Sequence, residues 1–433
     1  MLHEDTRLAQ NSWHEASVTR PPASPPLAGR VTADVAVVGG GYAGLSAALE
    51  LAMRGHKVAL LEARALCWGA SGRNGGQAIV GYGLAGEETI EAQLPAEDAR
   101  RAWDITVEAL DLLQERIARH AIACDYQPGH LTLAVNARKA RRLEERVRQV
   151  ERLYDYPQQW IAPGAMRDWV ASERFHAGVF DARSGHLHPL KYGLGLAAAA
   201  RDAGVQIFED SPVMAIERGE RPLLRTAMGE VDCRFVLLAG NVYLDAFGGR
   251  LAPKLVRRIL PVGSYMIATE PMGPERADAL IRQRAAVIDN NHMLDYFRLT
   301  PDHRLLFGGG ESYSTASLER LSARMRRRML GVFPQLTDLS AEHVWGGFVD
   351  VTMNQAPDFG RMGSNIYYLQ GFSGHGLAMA GMAGKLAAEA IAGQSERFDV
   401  MARLRHVPFP GGKALRTPAL LLGMLYYRLL DLF

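Results

Sequence analysis

The feature that most constrains the fold lies between residues 34 and 62, in the run DVAVVGGGYAGLSAALELAMRGHKVALLE. A short β-branched strand ends in glycines, a helix pattern runs from Tyr42 to Arg54, and a second strand, KVALLE, follows. Parallel neighbours joined by one helix make a βαβ unit, so the chain must build a parallel sheet. Gly39, Gly41 and Gly44 sit directly after the first strand and open the helix. The first permits the tight turn, the second lets the backbone approach a pyrophosphate, and the third lets the helix pack on the sheet. The helix N-terminal amides have no intrahelical partner and favour phosphate charge. Glu62 ends the second strand, near the spacing at which a carboxylate bonds ribose hydroxyls and disfavours a 2′-phosphate. These residues point to a dinucleotide without saying which one.

The next segment narrows the choice. Residues 69–76, GASGRNGG, are polar and glycine-dense, where a nicotinamide domain would run into its next helix. A flavin domain needs backbone that wraps pyrophosphate and ring, and Ser71, Arg73 and Asn74 supply hydrogen-bonding groups there.

At 433 residues the chain exceeds one ordinary core, so two domains are expected. Residues 1–30 end in PPASPP and read as an extended arm. A charged helix-periodic region from Glu87 to about Arg152 is broken by GHLTLAV, and buried-strand runs VQIFE and FVLLAGN follow. From Val262 to Gly310 the pattern is that of antiparallel strands, after which NIYYLQG and a helix from Leu377 to about Ile391 return to α/β style. The expected architecture is α/β: a Rossmann-like FAD-binding domain (31–83, 180–247 and 345–433) interleaved with an antiparallel-sheet α+β substrate domain (84–179 and 248–344).

Composition excludes several classes. Hydrophobic residues at 48% and charged residues at 22% fit a soluble globular chain, and a net charge of +2 offers nothing to neutralise nucleic-acid phosphates. Cys67, Cys124 and Cys233 stand far apart, which fits a reducing cytoplasm. The N-terminus carries no secretion pattern. The apolar stretch Pro418–Phe433 is too short to span a bilayer, so no integral membrane segment is expected; a docked helix is the plain reading and contact with a lipid surface the alternative. The basic runs near 137–148 and 322–329 have apolar residues at helical spacing and read as solvated helix faces. His186 and His188 alternate in GHLHP without a third ligand nearby, so no metal is expected and His188 reads as a helix-entry residue.

The stretches VVGGGYAGLSAALELA, GASGRNGGQ, CDYQPGHL, SGHLHPL, NIYYLQGFSGHG and FPGGKALRTP carry a resemblance. The sequence resembles the glycine oxidase, sarcosine oxidase and D-amino-acid oxidase superfamily of flavoproteins, and within it the γ-glutamylputrescine oxidoreductase branch. The resemblance implies FAD, with Gly39, Gly41, Tyr42, Ala43 and Gly44 at the pyrophosphate and Glu62, Ala63 and Arg64 toward the ribose. It implies Ala70, Ser71, Arg73, Asn74, Gly75, Gly76 and Gln77 along the flavin. Val213 falls at the adenine, with Ala239 and Gly240 also at the cofactor. Gly371, Ser373, Gly374, His375, Gly376 and Leu377 fall at the pyrimidine edge of the ring. The tethering cysteine found in some relatives is missing from that last loop, so FAD is expected to be non-covalent; Cys67 reads as a small core residue.

The resemblance also implies the chemistry: hydride transfer from a neutral amine to the flavin N5, imine hydrolysis, and reoxidation by oxygen or another acceptor. His375 is the candidate polar group near the flavin, against a structural histidine in a glycine turn. Tyr265 and Tyr296 are candidates for a tyrosine wall around an alkylamine, whereas Arg298 reads as sheet packing. The sequence shows no evident carboxylate clamp, which favours an acylated diamine such as γ-glutamylputrescine over a D-amino acid, glycine or sarcosine, the alternative on the same fold. A flavin protein without turnover is the reading from another class.

Overall fold

The computed structural model describes Asp5, Leu8, residues 11–309 and residues 318–410. The first strand forms at Val35–Val38, with all four residues buried, as a strand covered on both faces requires. It pairs in parallel with Val58–Leu61 on one side and Phe235–Leu238 on the other. Gln206–Phe208 extends the sheet beyond Val58–Leu61, and Ile366–Gln370 extends it beyond Phe235–Leu238, both in parallel. Asp358–Met362 closes the sixth position antiparallel.

One face of this sheet presents Val35, Val37, Leu60 and Leu237 to a helical layer that includes Tyr42–Met53, Ala96–Arg119, Pro189–Asp202 and Gly376–Ile391. The opposite face, through Ala36, Ala59 and Val236, packs against Leu27, Leu224 and Val231 of a small four-stranded sheet and its lead-in. Each large aliphatic side chain so buried contributes about 1.5–3 kcal/mol relative to exposure.

Helices Tyr42–Met53 and Gly376–Ile391 approach closely because Gly384 has no side chain. A Cβ there would stand 2.4 Å from Ala43 O and 2.7 Å from Ala47 N. The two helices follow strands Val35–Val38 and Ile366–Gln370 of the same sheet, so both open at the ends of its strands.

A second, nine-stranded sheet runs in the order Ala341–Thr352, Ile259–Thr269, Leu305–Gly309, Asp295–Leu299, Ala286–Asp289, Gln127–Ala134, Ala177–His186 and Gln77–Ala78, with Gln159–Ile161 also on Ala177–His186. Among the described residues the chain crosses between the two large sheets four times. The antiparallel expectation for 262–310 holds for all but one neighbour: Ala286–Asp289 also pairs in parallel with Gln127–Ala134. Alternation along a strand reports which faces are covered and carries no sign of direction.

The arm expected at 1–30 differs too. Ser12 caps a short helix, Trp13–Ala16, and Trp13 and His14 are buried. Gly29–Thr32 is a strand paired with Gly229–Asp232. Pro418–Phe433, the FPGGKALRTP match beyond Pro410, and Gly310 lie outside the described residues. Among the described residues no helix is long and apolar enough to cross a membrane.

Candidate active site

The glycine turn is shaped by neighbours that leave no room for a side chain. Gly39 has φ +111, and a Cβ there would stand 2.6 Å from Ala239 O. At Gly41 it would stand 2.8 Å from Ser71 Oγ, and at Gly44 it would overlap Gly39 O. Gly44 is therefore the helix-to-strand contact expected of the third glycine, while Gly39 and Gly41 line a cleft of about 370 Å³.

Most of the residues singled out in the sequence line this cleft. Tyr42 and Ala43 line it at the helix start, Glu62 and Ala63 at the strand end, and Ala70, Ser71, Arg73, Asn74, Gly75 and Gln77 in the polar segment. Val213, Ala239 and Gly240 enter from loops of the smaller sheet, and Ser373, Gly374, His375, Gly376 and Leu377 from the later loop and helix. Tyr296 closes the other side. Arg64 stays behind, its guanidinium 5.2 Å from the Phe247 ring centroid. Gly76 packs under Leu187 O, and Gly371 packs against Thr352.

Tyr265 departs from expectation. It is buried in the core of the larger sheet, while its neighbours Ser264 and Met266 line the cleft. Successive strand residues face opposite sides, so a reading one residue out of phase selects the wrong side chain. Tyr296 does face the cleft, and its hydroxyl lies 3.0 Å from Ser264 Oγ. Arg298 lies behind the polar segment, its Nε donating to Gly75 O at 2.7 Å; burial brings its pKa down to about 10.

The polar segment is a pre-organised turn. Asn74 Nδ2 donates to Ala70 O and Ser71 O at 3.0 and 3.1 Å, and its Oδ1 accepts from Gly76 N at 2.8 Å. Ser71 Oγ accepts from Tyr42 N at 3.1 Å, which ties the segment to the helix start. Arg73 donates to Trp68 O and Gly346 O and pairs with Asp5 at 2.6 Å. Glu62 accepts from Gly40 N at 2.6 Å and Arg64 N at 2.9 Å; burial raises its pKa against the pull of these amides.

His375 precedes helix Gly376–Ile391, whose N-terminus has no side-chain cap. The ring rests against Gly83, where a Cβ would come within 2.7 Å of its Cε1. Burial lowers the His375 pKa, opposed by the Glu87 carboxylate, so the ring is neutral at neutral pH. The pair in GHLHP is structural: His186 Nε2 donates to Arg284 O at 2.8 Å, and His188 caps helix Pro189–Asp202.

A family model described as "DAO: FAD dependent oxidoreductase" matches residues 34–390. The chain belongs to this family. It is thus an FAD-dependent oxidoreductase with a DAO-type fold, and it is similar along nearly its whole length to curated members. It is 42% identical to the probable oxidoreductase OrdL of Haemophilus influenzae, over 94% of each chain. It is 40% identical to the gamma-glutamylputrescine oxidoreductase of Escherichia coli, over 97% of this chain and 98% of that one. The crystal structure of glycine oxidase from Geobacillus kaustophilus superposes with a TM-score of 0.70 at 21% identity, covering 84% of this chain and 95% of that one.

The donor set fits the family's cofactor. The glycine turn admits a close approach, two helix N-termini line one cleft, and a half-buried carboxyl follows the second strand.

The sequence reading missed Asp350, which this DAO-family chain buries completely in the cleft wall. Its carboxyl accepts from Gly371 N and, at 3.2 Å, from Phe372 N, and the Asn241 side chain bonds it as well. Asp350 lies on Ala341–Thr352 of the larger sheet and holds two loops of the smaller one. Burial pushes its pKa up to about 6. The signal in the sequence, one aspartate within the apolar run GGFVDVT, marks a buried carboxyl without naming its partners.

Proposed function

We propose that the chain oxidises the carbon–nitrogen bond of a small amine, with an acylated diamine of the γ-glutamylputrescine type as its substrate. The observation that carries this reading is the charge of the cleft. Among the described residues lining it the only cationic side chain is Arg73, and its guanidinium is committed to Asp5, Trp68 O and Gly346 O. An amino-acid substrate carries a carboxylate next to the reacting carbon, and a buried carboxylate needs a partner. An acylated diamine places no charge there. Similarity to the E. coli gamma-glutamylputrescine oxidoreductase supports the same class.

The residues that would hold FAD are those of the glycine turn, Glu62 at the ribose, the segment Ala70–Gln77 and the loop Gly371–Leu377. When bound, FAD supplies the acceptor for the hydride removed from the carbon beside the amine nitrogen. The protein's part is positioning and exclusion of water. Tyr296, steadied by Ser264, joins Ile288, Leu294 and Phe348 in an apolar and aromatic wall for an alkyl chain. His375, neutral through burial, offers a polar contact that does not repel a nearby amine. The amides opening helix Gly376–Ile391, which no side chain caps, would favour negative charge on the ring of a bound flavin.

A panel of amines and amino acids mixed with the holoenzyme without oxygen tests the reading. Acylated diamines are expected to bleach the flavin faster than amino acids, at rates that rise with pH as the substrate amine loses its proton. Faster bleaching by sarcosine, glycine or a D-amino acid would replace this substrate class with the alternative.

A further inference from the structure

The match to the family begins at residue 34, yet ordered chain precedes it and is spent on one target. His14 Nε2 donates to Asn74 O at 3.0 Å. Asp5, fully buried, pairs with Arg73 at 2.6 Å and accepts from the Tyr243 hydroxyl. Arg20, held by Glu15, donates to Leu66 O at 2.9 Å. Trp13 and His14 pack with His188, and His14 with Trp345, at centroid distances of 4.9–5.3 Å; Trp345 Nε1 in turn donates to Arg73 O at 3.0 Å. The exposed, proline-stiffened stretch 21–26 then leads to the body, where Ser24 N donates to Glu209 and Leu27 N to Ser211. Every one of the first three contacts falls on segment 66–74, and Arg73, Asn74 and Tyr243 all line the cofactor cleft.

We propose that Asp5 and residues 11–20 belong to a strap on the FAD site, in which His14 and Asp5 are positioning residues. His14 holds the Asn74 turn in the shape that meets the cofactor. Asp5 neutralises Arg73, so the flavin does not sit beside an uncompensated buried cation. Strap docking and FAD binding are then coupled, and each stabilises the other by the same factor. This goes beyond the substrate reading and does not depend on which amine is oxidised.

The test uses full-length holoenzyme and needs no substrate. FAD release, followed by the fluorescence of free flavin, is expected to quicken on the order of tenfold in His14→Ala. His14→Gln, whose amide can donate to Asn74 O, should recover most of that loss. Asp5→Asn leaves the charge of Arg73 without a counter-charge, so the flavin midpoint potential should move positive, and Asp5→Glu should return it. A strap that merely packs would speed release equally in both His14 variants and leave the potential unmoved. Release at the unmodified rate in His14→Ala, with an unshifted potential in Asp5→Asn, overturns the proposal. If Asp5→Asn does not accumulate as folded protein, amide exchange in the unmodified chain decides: removing FAD must increase exchange at residues 12–20, and unchanged protection there overturns it.

Discussion

Gly384→Ala and Gly381→Ala lie three residues apart on one helix and are expected to act in opposite directions. In an isolated helix each replacement would stabilise by up to about 1 kcal/mol, because alanine loses less backbone freedom than glycine. At Gly381 the new Cβ meets only Arg116 Nη1, at 3.4 Å, so that gain should appear largely undiminished. At Gly384 it meets Ala43 O at 2.4 Å, Ala47 N at 2.7 Å and Ser46 Cβ at 2.8 Å. Two of these atoms are backbone and cannot rotate away, so the helices must part by roughly 1 Å to restore ordinary contact. Overpacking of this kind costs about 1–3 kcal/mol, which outweighs the propensity gain. Separation also displaces the N-terminus of Gly376–Ile391 from that of Tyr42–Met53, so FAD affinity should fall along with stability. Denaturant unfolding of the apoprotein and titration with FAD measure the two effects. Equal stabilisation by both substitutions, with FAD affinity unchanged, would refute the claim that this helix contact shapes the site.

Glu62→Ala removes an acceptor for Gly40 N and Arg64 N as well as the proposed ribose contact, and FAD affinity should fall at least about tenfold in equilibrium dialysis; unchanged affinity in a folded variant removes Glu62 from the site. Acid precipitation should leave a colourless pellet and a yellow supernatant, because the loop Gly371–Leu377 has no cysteine and burial pushes the Cys67 thiol up to about 12. His186 has its pKa lowered to about 3, chiefly by burial and then by Arg298, so the folded state keeps it neutral where the unfolded chain takes up a proton. Its contribution is therefore present above pH 6.5 and is lost as pH falls toward 3, about 2 kcal/mol of it between pH 7 and pH 5. His186→Gln keeps a donor for Arg284 O and should flatten the stability profile by that amount, and an unaltered acid slope would contradict the assignment.

The sequence by itself determined those parts whose requirements are local. A strand with no polar face, three glycines at a turn, an acid at the end of the next strand and an alanine-rich helix after NIYYLQG each follow from sterics or periodicity within about a dozen residues. All of them appear in the structure at the expected places. The direction of Ala286–Asp289 and the phase of Ile259–Thr269 were not legible, since both depend on which strands lie alongside. A shift of one residue exchanges Tyr265 for Ser264 and Met266. The assembly of the site was decided only by tertiary contact. Asp350 meets Gly371, Arg73 meets Gly346, and His14 meets Asn74 across 21, 273 and 60 residues of chain. No pattern in a window of sequence records such pairs, because what selects them is the burial of polar groups that must find partners once two sheets close on each other. The N-terminal segment shows the difference plainly. Its composition reads as an arm, and only the presence of Arg73, Asn74, Trp345 and His188 in one place turns it into part of the body.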